Sequence, residues 1–337
     1  MSKSFDSCES SSSIPRTLMI ERVFDSISNF GREWKEEVCL ALGMFDGVHR
    51  GHQVVLDQAV SEARRFLGTS AALTFPMHPA SFLRPGREPA LVMSPSEKAT
   101  RLLSSGMSAV IMHPFDQEIS EVPADQFIVF LKERIPLVHS ICVGKNFRFG
   151  KNRAGDSMTL IQLGLGAGIK VKVAESLILD DLPISSSLIR DALSRGDMMR
   201  VNQMLGRKYK VSGNVQPGKA LGRTIGFPTL NVTWSPEAKP AYGVYVGFAQ
   251  ESKGGQKIPA VANYGLRPTV NQRDDLPILE IHCLESPDLS VWKEGASLSM
   301  ELNAMIRSEK KFEGLEELKL QIKQDCEDAK KLFSVDL

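Results

Sequence analysis

What the chain lacks narrows its class first. None of its five cysteines (Cys8, Cys39, Cys142, Cys283, Cys326) forms a Cys-x-x-Cys pair, and their number is odd. That pattern argues against a zinc site or a disulfide framework. Cys39 and Cys142, set in apolar runs, are expected as buried free thiols in a reducing cytoplasm. Neither sign of charge is in excess: 41 basic and 40 acidic side chains give a formal charge of +1. A protein that wraps nucleic acid normally carries a basic stripe, so no nucleic-acid partner is expected. No apolar run nears the ~18 residues that cross a bilayer, so no membrane partner is expected either. Residues 1–17 are Ser-rich, carry Asp6 and Glu9, and have no apolar core. They read as a disordered tail rather than a secretion signal. No internal repeat is found. What remains, 337 residues with 42% hydrophobic and 24% charged side chains, is ordinary for a soluble protein and long enough for two domains. Nothing in it demands more than a monomer or a weak homo-oligomer.

Two rhythms of hydrophobicity divide the chain. Val38–Leu42, Ala71–Phe75, Ala109–Met112, Ile141–Gly144 and Ile169–Ala174 read as strands. Continuous apolar runs of that length mark strands buried on both faces. Helical spacing fills His52–Leu67, Ser96–Ser104 and Ala124–Arg134 between them. Strand and helix in alternation predict a doubly wound parallel sheet, the α/β class. Beyond 194–208 the chain turns to Gly, Pro and short alternating runs at Tyr209–Val215, Gly243–Phe248, Ile258–Asn263, Pro277–Cys283 and Ala296–Leu302. These predict a small antiparallel β-barrel. A C-terminal helix is expected over Gly314–Leu332. With the boundary at Met204, the domains are 18–203 and 204–337.

Each domain carries a run suited to phosphates. Gly43-Met44-Phe45-Asp46-Gly47-Val48-His49-Arg50-Gly51-His52 follows the first apolar strand and opens a helix. Ligands of an open parallel sheet bind beyond the strands' carboxyl ends. A helix start there adds unpaired N–H groups and a positive dipole end. Gly51 lets the backbone come close, and His49 and His52 can donate hydrogen bonds to phosphate oxygens as charge builds in a transition state. Alone, two histidines at this spacing also suit a helix cap facing solvent. Ile184-Ser185-Ser186-Ser187-Leu188-Ile189-Arg190 enters another helix. Ser185 or Ser186 can cap it, and the hydroxyls with Arg190 make a second donor cluster.

The second run is Gly218-Lys219-Ala220-Leu221-Gly222-Arg223-Thr224-Ile225-Gly226-Phe227-Pro228-Thr229-Leu230-Asn231. It lacks the Gly-Lys-Ser/Thr ending of a P-loop. Gly218, Gly222 and Gly226 permit a tightly folded backbone whose N–H groups can face phosphates. Thr229 and Asn231, two apart on an expected strand, share a face and can jointly reach a metal and a phosphate oxygen. Composition alone also allows a plain Gly-rich hairpin.

Taken together, the His-x-Gly-His unit and the Ser-Ser-Ser-x-x-Arg helix start resemble the nucleotidyltransferase superfamily. A similar His-x-Gly-His element occurs in class I aminoacyl-tRNA synthetases, but their Lys-Met-Ser-Lys-Ser-like loop is absent here. With Val143-Gly144-Lys145-Asn146-Phe147-Arg148-Phe149-Gly150 and the Gly218–Asn231 run, the chain from about Leu18 onward resembles the prokaryotic bifunctional riboflavin kinase/FAD synthetases. The resemblance implies that Gly43, Phe45, Asp46, His49, His52, Asn146, Ser185, Ser186, Ser187 and Arg190 hold ATP for adenylyl transfer to FMN. It further implies that Gly218, Lys219, Gly222, Gly226, Thr229 and Asn231 hold ATP for riboflavin phosphorylation, with Mg²⁺ on Thr229 and Asn231. Glu280, in Leu279-Glu280-Ile281-His282, is implied as the base that deprotonates the riboflavin 5′-hydroxyl. Arg307, expected in a mobile loop, and Phe312 are implied near the flavin. The partners implied are riboflavin, FMN, FAD and ATP. The family's Phe-Asp-Pro-His-Pro stands here as Phe75-Pro76-Met77-His78-Pro79, so an acid is missing and His78 is read either as a ligand contact or as a turn. A chain active only as the kinase, and a non-turning-over flavin or nucleotide sensor, stay open at this point.

Overall fold

The computed structural model describes residues 22–218, 221–252, 254–266, 277–285 and 292–334. The expected tail at 1–17 and Lys219 lie outside the described residues. The chain divides into two compact units. One holds the residues up to Phe45, His52–Glu88 and Pro95–Glu175; the other holds Asp46–Gly51, Pro89–Ser94 and the chain from Ser176.

The first unit is a parallel sheet. Its strands are β1 (Val23–Phe24), β2 (Val38–Leu42), β3 (Thr69–Thr74), β4 (Ala109–Met112), β5 (Val138–Gly144) and β6 (Lys170–Ala174), in the order β1-β4-β3-β2-β5-β6. The helices are α1 (Ile27–Glu33), α2 (Arg50–Arg65), α3 (Pro79–Leu83), α4 (Pro95–Ser104), α5 (Gln117–Glu121), α6 (Phe127–Arg134) and α7 (Ser157–Ala167). Every residue of β2 is buried, which is why the run is apolar without alternation. Leu40 and Leu42 pack with Ile27 and Phe30 of α1, Leu131 of α6 and Leu160 of α7. Cys39 and Ala41 point to the opposite face, also buried. Cys39 and Cys142 are buried free thiols, as expected, with their sulfurs 3.7 Å apart. Local signals end the helices: Asp156 accepts from the Thr159 amide to start α7, and Gly168 in a left-handed conformation (φ 71°) stops it. The chain leaves β2 toward β3 on one side and returns to β5 on the other. That reversal opens a crevice beyond the carboxyl ends of β2 and β5.

The second unit is a closed antiparallel barrel. Its strands are β7 (Tyr209–Gln216), β8 (Leu230–Thr233), β9 (Gly243–Glu251), β10 (Ile258–Leu266), β11 (Pro277–Cys283) and β12 (Ser297–Ser308), closed in the order β7-β8-β11-β10-β9-β12. Helices α8 (Ser186–Ser194), α9 (Met198–Leu205), the short α10 (Leu221–Thr224) and α11 (Leu315–Ser334) accompany it. Alternation decides the faces: in β11, Leu279, Ile281 and Cys283 fill the interior with Leu230, Val232, Ala262 and Tyr264. Each fully buried aliphatic side chain of this kind contributes roughly 1.5–3 kcal/mol. Val244, Val246 and Val261 face outward under Ala329 of α11. Ile189, Leu193, Met198 and Val201 of α8 and α9 belong to the same cluster as the barrel interior.

Two expectations change. Arg307 lies on strand β12, not in a mobile loop. That strand runs to Ser308 because one long strand pairs with both β7 and β9 to close the barrel. Thr229 precedes β8 rather than lying on it.

Candidate active sites

In the first unit, Gly43 and Phe45 leave β2 and Asn146 sits in the turn after β5, so both reach the crevice where the strand order reverses. The Gly43 amide donates to the Leu73 carbonyl (3.2 Å), and the Phe45 ring lies 3.0 Å from where a Cβ on Gly43 would stand. Phe45 is buried with φ 48°, a left-handed conformation that a bulky L residue adopts only when its surroundings fix it. Its ring meets the half-buried His52 edge-on, with centroids 5.3 Å apart. Beyond β3 and β4, Phe75, Phe82 and Phe115 form an aromatic group with centroid distances of 5.1 and 6.1 Å. Phe82 is 46% exposed. Single-residue reading could not find this group, because three rings from separate segments form it. His78 caps α3 by accepting from the Ala80 amide (3.1 Å).

In the second unit, Asp46–Gly51 and the start of α8 are bound to each other. Ser185 is the N-cap of α8, accepting from the Leu188 amide (3.3 Å). The Ser186 hydroxyl donates to the Asp46 carbonyl (2.8 Å). Arg190 donates to the Asp46 carboxylate (2.9 Å) and to the Ser187 hydroxyl (3.2 Å). The other Asp46 oxygen accepts from the Val92 amide (2.9 Å). A carboxylate at 2% exposure is tolerable only with such compensation. The structure thus brings Asp46, Ser186, Ser187 and Arg190 into one polar network, with Ser185 capping the same helix. Arg207, which no local motif announces, donates to the carbonyls of Gly47 (2.7 Å) and Val48 (3.0 Å). It fixes a segment with φ 84° at Gly47 and φ 37° at Val48. His49 is 4% exposed. Burial first, and the Arg207 charge second, bring its pKa down to about 4, so the ring is neutral at pH 7.

The barrel fixes its residues by register. Asn231 on β8 stands opposite Glu280 on β11, and Glu280 stands opposite Asn263 on β10. Directly opposed residues share a face, here the outer one, since Leu279 and Ile281 point inward. Asn231 is buried and Glu280 half-buried. The same row continues through Val244 to Arg307, roughly 14 Å from Glu280 at three strand spacings. Register therefore joins Asn231 to Glu280 and leaves Arg307 at a distance. Arg307 makes a two-pronged pair with Asp325 of α11 (2.8 Å each), and its guanidinium carbon lies 5.7 Å from the Phe312 ring centroid. A Cβ on Gly218 would come within 1.9 Å of the Asn231 amide nitrogen, and one on Gly222 within 3.2 Å of the Thr229 hydroxyl. Those two glycines therefore make room for close backbone against both oxygen-bearing side chains. Gly226 has φ 89° with nothing near its missing side chain, so its role is conformational. His282 pairs through Nδ1 with the Pro228 carbonyl (2.9 Å) and holds that end of the run.

Comparison with known proteins follows the same division. The family described as FAD synthetase matches residues 32–188, and the one described as riboflavin kinase matches 205–333. The chain belongs to the bifunctional riboflavin kinase/FMN adenylyltransferase family. Relatives of that name from Haemophilus influenzae and Escherichia coli are 35% and 33% identical to it. The first covers 88% of this chain and 94% of its own length, the second 93% and 98%. A crystal structure described as a macrolide-efflux protein from Streptococcus pneumoniae shares the fold, with a TM-score of 0.79, 24% identity and coverage of 92% of this chain and 99% of that one. At that identity the likeness concerns the fold alone. No described helix is long and apolar enough to cross a membrane.

Proposed function

We propose that this chain makes FMN from riboflavin and ATP in a kinase domain, residues 204–337, and FAD from FMN and a second ATP in an adenylyltransferase domain, residues 18–203. In the phosphorylation, Glu280 takes the proton of the riboflavin 5′-hydroxyl as that oxygen attacks the γ-phosphorus. An alcohol is a weak nucleophile until an oriented base accepts its proton. Asn231, Thr229 and the backbone at Gly218, Lys219, Gly222 and Gly226 hold the triphosphate. Their neutral oxygen donors beside close-packed glycines fit Mg²⁺, which takes few protein ligands and several phosphate oxygens or waters. When bound there by Thr229 and Asn231, that ion offsets charge on the phosphates. Among the described residues no cluster of three or more His, Cys, Asp or Glu could hold a metal instead. The flavin lies toward Phe312 and Arg307.

In the adenylyl transfer, a phosphate oxygen of FMN attacks the α-phosphorus and pyrophosphate leaves. The attacking oxygen is already ionised, so the protein supplies position and charge stabilisation rather than a nucleophile. Neutral His49 donates an N–H group to the phosphates, as does His52, and Ser185, Ser186, Ser187, Arg190 and Asn146 complete the hold. Phe75, Phe82 and Phe115 offer a face for a flat flavin ring. We place the enzyme in the cytoplasm, as a monomer or weak homo-oligomer with no nucleic-acid or membrane partner.

The observation that supports this reading most is the barrel register that sets Glu280 opposite Asn231, beside the Gly-rich run. The test is riboflavin with MgATP, products resolved in time. FMN followed by FAD is the expected outcome; FMN alone would remove the adenylyltransferase half, and neither product would remove turnover altogether.

A further inference from the structure

A buried cation ties the ends of β2 and β3 together. Lys98 stands on α4 at 1% exposure. Its ammonium donates to the Phe75 carbonyl (2.6 Å) and to the Met44 carbonyl (3.1 Å). The Thr74 hydroxyl, also buried, donates to the same Met44 carbonyl (2.8 Å). Lysine is among the side chains least often fully buried, because its charge must leave water. An apolar residue of similar length would fill the space more cheaply, so the ammonium does something that packing does not.

Two of its partners show what that is. Met44 directly precedes Phe45, whose backbone stands at φ 48° and whose ring abuts His52. Such a conformation persists only where neighbours over-determine it. Phe75 opens the Phe75–Pro79 segment, and its ring packs 5.1 Å from Phe115. One charge therefore grips the backbone that leads to the histidines and the backbone that carries the aromatic group.

We propose that Lys98 is a positioning residue for adenylyl transfer, setting through the Met44 and Phe75 carbonyls the spacing between the turn that carries the ATP-handling histidine and the rings that receive the flavin. This rests on the adenylyltransferase reading above. The riboflavin kinase activity of the same chain is the internal control. Lys98→Met should lower kcat/KM for FMN adenylylation about a hundredfold, the size of effect that a small misplacement produces, with KM raised for ATP and for FMN alike. Riboflavin phosphorylation should stay at the wild-type rate, and Lys98→Arg, which keeps the charge and donors, should recover most of the loss. Thr74→Val, removing the second donor to Met44 while keeping shape, should show a weaker change of the same kind, and it serves if Lys98→Met does not fold. A fall in adenylylation kcat with both KM values unchanged would mean fewer folded molecules and would overturn the proposal. So would wild-type adenylylation in Lys98→Met, or equal losses in the Met and Arg variants. A wild-type chain that forms FMN but no FAD would instead remove the reading beneath it.

Discussion

The two regions proposed to handle phosphates are held by different means. In the barrel, Asn231, Glu280 and Asn263 lie within paired strands, and their juxtaposition follows from register alone. In the run that follows β2 the corresponding residues lie on backbone with positive φ at Phe45, Gly47 and Val48. Lys98 holds Met44, and Arg207 holds Gly47 and Val48, by gripping their carbonyls. A strand site is robust to change far away and fragile to change on its own face. A loop site depends on cations distant in sequence. Substitutions at five positions and one pH series can break or sharpen that contrast.

The largest effect is expected from His49→Ala combined with His52→Ala, which should lower FAD formation by at least a thousandfold, on the scale of losing oriented donors in a transition state. FMN formation in the same variant should be unchanged. Glu280→Gln should reverse the pattern: riboflavin phosphorylation falls about a hundred- to ten-thousandfold with the base gone, while FMN supplied directly is still adenylylated. Steady-state rates with each flavin check both. Arg207→Met tests the loop side of the contrast. It leaves two carbonyls without their charged donor, costing about 1–3 kcal/mol, and should slow adenylylation about tenfold with the kinase intact. Arg207→Lys should not restore it, since a single ammonium does not reproduce the fork.

Acid should act on His49. Its folded pKa of about 4 lies below the ordinary value of 6.5, so the unfolded chain binds the extra proton between those values. Stability is full above pH 6.5, falls as pH drops toward 4 and levels below it, a loss of roughly 3 kcal/mol from this group. Urea unfolding at pH 7 and pH 4.5 should show a smaller drop in His49→Ala than in the wild type. No step in adenylylation rate from this histidine should occur between pH 7 and 9. The mildest change expected is Gly218→Ala: its Cβ would press on the Asn231 amide, and the kinase KM for ATP should rise severalfold while adenylylation is untouched.

Much of the fold was legible because its signals are local. Pro277–Cys283 alternates with period two and is a strand over that whole span. Val38–Leu42 is apolar throughout and is a strand buried on both faces. Strand ends were harder. Gln250 and Glu251 look like turn residues, yet they extend β9 by pairing with Ser299 and Leu298. Arg307 was misplaced likewise: the strand was read as ending at Leu302, but closing the barrel demands one that runs to Ser308. In the candidate sites, residues carried by compact motifs were named from the sequence. Lys98 and Arg207 were not, because their partners stand 54 and 23, and 160 and 159, residues away. No spacing encodes such a contact. Asp46 was named for ATP, and the structure shows its carboxylate engaged by Arg190 and Val92.

That this chain cleaves ATP at two different phosphorus atoms in two separately held sites is tested most directly by following labelled ATP. With riboflavin as substrate, γ-labelled ATP should put its label into FMN and α-labelled ATP into the adenylyl half of FAD. The paired His49→Ala, His52→Ala variant should keep the first transfer and lose the second, and Glu280→Gln given FMN should keep the second. Loss of both transfers together in either variant would contradict the account.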